Sequence, residues 1–290
     1  MEIPLQLLEL KPISDFIHYN CESELSTAEL YENEVSRAID PILIWMVREL
    51  DYVCMFERLY LCVDDNNYTV DFCVPDMAIN LDRCPLDKYR FVICSIGLKF
   101  IEDGQLTKKA HSESIIIDTL DRTIDFFEPY SSSALWYSSV SEFLRLQFSM
   151  TLPEYRFRDT FEYCPHLGPQ SIIKLPVCGA ITLLYILLRI YNLNLTSYDV
   201  SNLIMNLKSK VLLDTIRKFI CYIRNISVNN ELRRLQNVRF YLSKILVDDP
   251  NRMNIIENYY YNSDYLGLVK YISDSPLLES RLHEFILKNH

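Results

Sequence analysis

A chain of 290 residues with 49% hydrophobic and 12% aromatic side chains has room for one large domain, or for a catalytic domain with additions at both ends, and is too apolar to be disordered. Its formal net charge of −10 argues against nucleic acid as the main partner, because phosphate binding requires a basic footprint. Nine cysteines, an odd number without a CxxC pair, argue against a disulfide framework.

The start MEIPLQLLEL lacks the basic and apolar regions of a signal peptide, and the most apolar stretch, 178–190, is too short to span a bilayer and contains Arg189. Together with the cysteine usage, this places the protein in a reducing, aqueous, intracellular setting, with no membrane partner. The charge is uneven. Residues 1–88 hold 18 acidic against 6 basic side chains, whereas 205–245 hold nine basic residues, among them Lys208, Arg217, Arg233, Arg234 and Arg239, against Asp214 and Glu231. Such a basic run is a solvated helical face or a docking surface for an acidic partner.

In chain order, Ser26 and Glu29 have capping-box spacing and open a helix over 26–50, which Pro41 kinks or divides. Residues 52–73, rich in Val, Tyr, Phe and Cys, read as a hairpin turning at Asp64-Asp65-Asn66-Asn67. A strand from Tyr89 to Ile101 ends at the turn signal Glu102-Asp103-Gly104. A second strand, His111 to Asp118, returns through Thr119-Leu120-Asp121-Arg122 as Thr123 to Glu128, and Pro129 with the serines at 131–133 stops it. Helices follow at 134–149 and 178–191, and from Ser197 onward the pattern is helical with breaks near 227–230, 248–251 and 273–276. This order predicts an α+β protein with a mixed central sheet, divided into an acidic extension (1–88), a core (89–195) and a helical region packed on it (196–290).

Of the histidines, His111 opens a strand of the hairpin. A two-residue turn on Leu120-Asp121 sets Glu128 opposite residue 113, one same-face step from His111, because strand side chains alternate faces. Asp118 and Asp125 then point to the other face. A three-residue turn would invert this choice, and Glu113 is a same-face rival. Cys178-Gly179 stands directly before a run apolar on every side, the mark of a buried helix. The first turn presents Cys178 to the positive end of the helix dipole, which lowers a thiol pKa, and Gly179 leaves nearby amides free for an oxyanion. Upstream, the loop Cys164-Pro165-His166-Leu167-Gly168-Pro169-Gln170 carries a side-chain amide, Gln170, suited to hydrogen-bond a tetrahedral intermediate. His166 is a rival base, and Cys164 with His166 lacks the second ligand pair that a zinc site needs. No GxSxG, P-loop or Rossmann glycine pattern is present, so no cofactor is expected.

These residues, in this order, resemble the clan of the SUMO-processing proteases and the adenovirus maturation protease (adenain). In that clan a His is followed about seventeen residues later by an acid, then by an oxyanion Gln, then by a Cys-Gly opening a buried helix. Here His111 and Glu128 are seventeen apart, Phe127-Glu128-Pro129-Tyr130 is similar to the Phe-Glu-Pro-aromatic signature of the adenoviral branch and of proteins from large DNA viruses, and Gln170 precedes Cys178-Gly179 by eight. The resemblance covers roughly residues 89–191. It implies a papain-like, adenain-like cysteine protease core, with Cys178 as nucleophile, His111 as base, Glu128 as orienting acid and Gln170 as oxyanion donor. The implied substrate is a viral structural precursor or a ubiquitin-like modifier, met in the host cytoplasm or the virion. Three departures stand out: Ser112 occupies the usual aromatic position after the His, Val177 precedes the nucleophile in place of Asp, and the interval from Gln170 to Cys178 is slightly longer than usual. Two other readings use the same residues. One is an acetyltransferase of this clan, its CoA phosphates met by the 205–245 cluster. The other is a catalytically silent scaffold.

Overall fold

Strand-forming residues from Phe91 to Glu102 run into Asp103 and Gly104, whose φ angles of 52° and 76° build a two-residue turn of the hairpin type. In the computed structural model this turn joins β4 (Phe91–Glu102) to β5 (Gln105–Asp118), which begins six residues earlier than the strand read from His111. The residues described are 8–18, 43, 46–47, 50–56, 58–73, 79, 81–82, 84–164, 167–229, 242–243, 245–246, 249–261, 271–272, 274–275, 278 and 280–281.

The first elements are α1 (Ile13–Phe16), β1 (Val53–Met55), β2 (Leu59–Asp64) and β3 (Val70–Phe72); after β5 come β6 (Thr123–Phe127), α2 (Tyr137–Thr151), β7 (Arg156–Arg158), α3 (Thr160–Tyr163), α4 (Pro169–Ile173), α5 (Cys178–Tyr191), α6 (Ser197–Met205), α7 (Ser209–Asn229) and α8 (Pro250–Tyr261). The fold class is α+β, and the strands form one mixed sheet in which β2 to β7 follow the order β3-β2-β4-β5-β6-β7 and β1 pairs with β4 off that path. β1 and β2 lie parallel to successive stretches of β4, on the edge that β5 leaves free. β2 and β3 form the hairpin expected over 52–73, turning at 65–67. Two strands of the segment read as an N-terminal extension, β1 and β2, thus pair directly with β4, and β3 joins the sheet through β2.

Strand alternation divides the sheet into two faces. On one, Val92, Ile96, Leu98, Ile115, Ile117 and Phe126 pack with Val140, Leu144 and Phe148 of α2. On the other lies α5: its Tyr185 stacks on Phe127 with ring centroids 3.8 Å apart and planes 5° from parallel. Every residue of α5 from Cys178 to Ile190 is buried, as the all-round apolar pattern requires.

Two compact units partition the chain, Met1–Ile39 with Asp51–Ile223, and Asp40–Leu50 with Arg224–His290. In the second, Leu242, Leu246, Ile256 and Leu278 form a small apolar cluster. Most of the helix read over 26–50 lies outside the described residues; Leu43, Met46 and Val47 are helical and buried. No helix among the described residues is long and apolar enough to cross a membrane.

One expectation is overturned. The cysteines do form disulfides, Cys54 to Cys84 and Cys62 to Cys73, with Cα atoms 5.6 and 4.9 Å apart, and Cys221 is also disulfide-bonded. Cys62 meets Cys73 because β2 and β3 are hairpin partners, a spacing that no local motif announces. Cysteine usage therefore lends no support to a reducing compartment. Cys94, Cys164 and Cys178 stand outside any disulfide, and all three are buried.

Candidate active site

The β5–β6 hairpin decides which acid meets His111. Its loop has four residues, 119–122, held by the Asp118 carboxylate, which accepts from the Leu120 and Asp121 amides at 3.1 and 3.3 Å. An even loop preserves the parity of a two-residue turn: Ile116 pairs with Asp125 and Ser114 with Phe127. Asp118 and Asp125 therefore face away from His111 and have other partners. Asp118 is ion-paired with buried Arg189, and Asp125 accepts from Arg158 at 2.6 and 2.8 Å and from the Ser197 hydroxyl. β6 ends at Phe127, before Pro129, so β5 beyond Ser114 has no β6 partner.

At that free end His111 Nε2 meets Glu128 Oε1 at 2.7 Å and Oε2 at 3.0 Å, both residues buried. The carboxylate is held from two further sides: the Tyr130 amide donates to Oε1 at 2.7 Å, and Trp136 Nε1 to Oε2 at 3.2 Å. The same two residues pack the imidazole. Tyr130 stacks on it at 5.5 Å and Trp136 meets it edge-on at 5.3 Å. Ser112, next to His111, offers no ring, and Tyr130 and Trp136 supply the rings from the loop after β6. Sequence reasoning missed Trp136 because it belongs to no motif; an indole at the start of a helix is an ordinary core signal.

α5 brings Cys178 to His111. Thr182 Oγ1, one turn into the helix, donates to the Ser112 carbonyl at 3.0 Å, tying α5 to the strand residue next to His111. No side chain caps α5 and its first turn holds no acid, so its amides and dipole are free to act on a negative charge at Cys178. The His111 ring and the Ser112 amide are the polar groups beside the thiol. Burial alone would raise the Cys178 pKa; the charge and hydrogen bond of His111 and the Ser112 amide outweigh it, and the thiol is pulled below its ordinary value. Burial would lower His111, yet the negative charges of Glu128 and Cys178 carry it well above the usual imidazole value. Glu128 is held below the carboxylate range: burial acts upward, but the imidazolium and the donors around it prevail. The combined effect favours thiolate beside imidazolium.

Gln170 lies buried on α4, anchored through the backbone: its amide donates to the Pro129 carbonyl at 3.0 Å, and the Gly168 amide to the Tyr130 carbonyl at 3.1 Å. A Cβ on Gly168 would overlap the Pro129 carbonyl and the Tyr130 backbone, which is why this close approach takes glycine. The Gln170 side-chain amide lies beside the Tyr130 hydroxyl. An amide has two N–H groups, so one remains for an incoming oxygen. The structure thus brings His111 between Glu128, to which it is hydrogen-bonded, and Cys178, and sets Gln170 beside Tyr130, which stacks on the imidazole. His166 and Pro165 lie outside the described residues, as do Arg233, Arg234 and Arg239 of the basic run.

Among the described residues, His111, Glu113 and Glu128 offer one metal-ligand atom each within 4.8 Å of one another. The 2.7 Å His111–Glu128 contact is a hydrogen bond that a bound cation would have to break. The disulfide-linked Cys54, Cys62, Cys73 and Cys84 have no free thiolate to offer a metal. No protein-family model and no curated protein matches the chain.

Proposed function

We propose that this protein is a cysteine endopeptidase with an adenain-like core, acting on a protein precursor or a ubiquitin-like modifier. The observation that carries the reading is the buried row Cys178–His111–Glu128. In it the thiol is lowered, the imidazole raised and the carboxylate held ionised, with the thiol at an uncapped helix N-terminus.

The chemistry follows from these positions. The thiol proton rests on His111, and the Cys178 sulfur forms a bond to the substrate carbonyl carbon. The carbonyl π electrons move to oxygen, and that charge meets the Cys178 backbone amide and the free N–H of Gln170. As the oxyanion collapses, the C–N bond breaks and His111 gives its proton to the departing amine. Water then loses a proton to His111 and attacks the thioester. A carboxylic acid leaves, and the thiol is restored. Glu128 holds the ring in one tautomer and stabilises the imidazolium in both halves.

The test uses an unbiased peptide library beside a panel of ubiquitin-like proteins carrying C-terminal electrophiles, with Cys178→Ala as control. Cleavage or labelling dependent on Cys178 supports the reading. Labelling of Cys178 by acetyl-CoA, with acetyl transfer to protein, assigns acyl transfer instead. A folded protein that no probe labels is a scaffold.

A further inference from the structure

The row contains a fourth side chain with no part in the mechanism above. Glu113 stands two residues after His111 on β5, next in register beyond the Ser114–Phe127 pair, and therefore faces Glu128. Its carboxyl is fully buried, within 4.8 Å of both His111 and Glu128. Its β4 neighbour is the uncharged Ile96. The other groups facing it are His111, Glu128 and the Trp136 indole; from α2, Tyr137 lies near Glu128, with its hydroxyl already accepting from the Phe161 amide.

Two carboxylates this close in a buried site do not both ionise. The donors around them decide which one keeps its charge. Glu128 accepts from His111, from the Tyr130 amide and from Trp136. Neither oxygen of Glu113 meets a donor with full hydrogen-bond geometry, although Glu128 and Trp136 are its nearest polar neighbours. Glu128 thus has the stabilised negative charge, and Glu113 has every reason to hold a proton.

We propose that Glu113 is a neutral carboxylic acid that donates a hydrogen bond to Glu128 and so positions that carboxylate on His111. The proposal rests on the peptidase reading of the same site. Glu113 is a positioning residue, since it acts on His111 through Glu128. Burial first, and the Glu128 charge second, push its pKa well above the usual carboxylate range, in keeping with this arrangement. The proton also limits the charge of the site: thiolate, imidazolium and one carboxylate, rather than two carboxylates against a single cation.

The experiment measures the rate of Cys178 alkylation by iodoacetamide against pH in the native protein, Glu113→Gln and Glu113→Leu. Alkylation needs no substrate, so it reports on the thiolate–imidazolium pair even if the protein cleaves nothing; the peptidase reading and this proposal therefore fail separately. Gln keeps a neutral donor, so the alkaline limb should stay in place. An ionised Glu113 would make that limb fall to lower pH in Glu113→Gln, which would overturn the proposal. Leu removes the donor: turnover should drop about tenfold through kcat, and Gln should recover most of that loss. Should both variants fail to fold, difference infrared spectra of the native protein carry the test. The carbonyl stretch of a buried protonated carboxyl supports the proposal, and its absence contradicts it. Stoichiometric zinc in the purified protein, released by Glu113→Gln, would also overturn it.

Discussion

Thr182 donates its hydroxyl to the carbonyl of Ser112 at 3.0 Å, so the helix that begins with Cys178 is fixed to the strand position adjoining His111. Cys178 and His111 are 67 positions apart in the chain, and this buried bond is the tie between their elements that lies nearest to both. Thr182→Val keeps the shape, deletes the donor and leaves the Ser112 carbonyl short of a partner. The loss in stability should be about 1–3 kcal/mol by denaturant unfolding. Turnover should fall about tenfold or more at unchanged KM, because small displacements of reacting groups weigh heavily on rate. A variant that is destabilised but turns over normally would show that the tie does not position the pair.

Glu128→Gln tests the acid. The lowered thiol and raised imidazole predict a bell-shaped kcat/KM profile: activity appears as Cys178 loses its proton and disappears as His111 loses its own at higher pH. Removing the carboxylate lets His111 fall back, so the alkaline limb should move to lower pH and turnover should drop by about 10²–10⁴-fold. The signs for stability differ between the partners. The depressed Glu128 contributes above its unfolded pKa of about 4.3, and that contribution is lost as pH falls through the folded value. The raised His111 contributes fully below about pH 6.5 and loses its contribution as pH rises through its own folded value. An alkaline limb that stays in place in Glu128→Gln would contradict this assignment.

Trp136→Phe separates ring from donor. It keeps an aromatic edge against His111 and removes the N–H that reaches Glu128 Oε2 at 3.2 Å. A hydrogen bond to a charged acceptor contributes about 1.5–3 kcal/mol, and we expect a loss near the lower figure in unfolding experiments, with a several-fold fall in kcat. Equal kinetics in the two proteins would assign Trp136 to packing alone.

Gly168→Ala tests how Gln170 is placed. The added methyl meets backbone, which yields less than the end of a flexible side chain. The bonds from the Gly168 and Gln170 amides to Tyr130 and Pro129 should open, at about 1–3 kcal/mol, with a larger loss in kcat than in KM. Native kinetics would remove Gln170 from the oxyanion role.

The hairpin was readable because its loop is even: parity alone separates Glu128 from Asp118 and Asp125, and the observed register keeps that parity although the loop has four residues. The start of α5 was readable because an apolar run buried on every side leaves only its first residues at a boundary. What could not be read is long-range. β1 pairs with β4 across an intervening segment, β7 is a three-residue strand, and the disulfides join cysteines 30 and 11 positions apart. Glu113 was visible only as a rival to Glu128. Parity puts both carboxyls on the face of His111; which of them takes the donors is set by the loop after β6, which strand parity does not encode.

The proposed chemistry requires above all that Cys178 be a thiolate held by His111. The direct measurement is the pH dependence of Cys178 alkylation in the native protein and in His111→Ala. The account predicts a native thiol that reacts well below the free-cysteine pKa of about 8.5 and moves upward when His111 is removed. A native thiol that titrates like free cysteine, with a profile unchanged in His111→Ala, would contradict it.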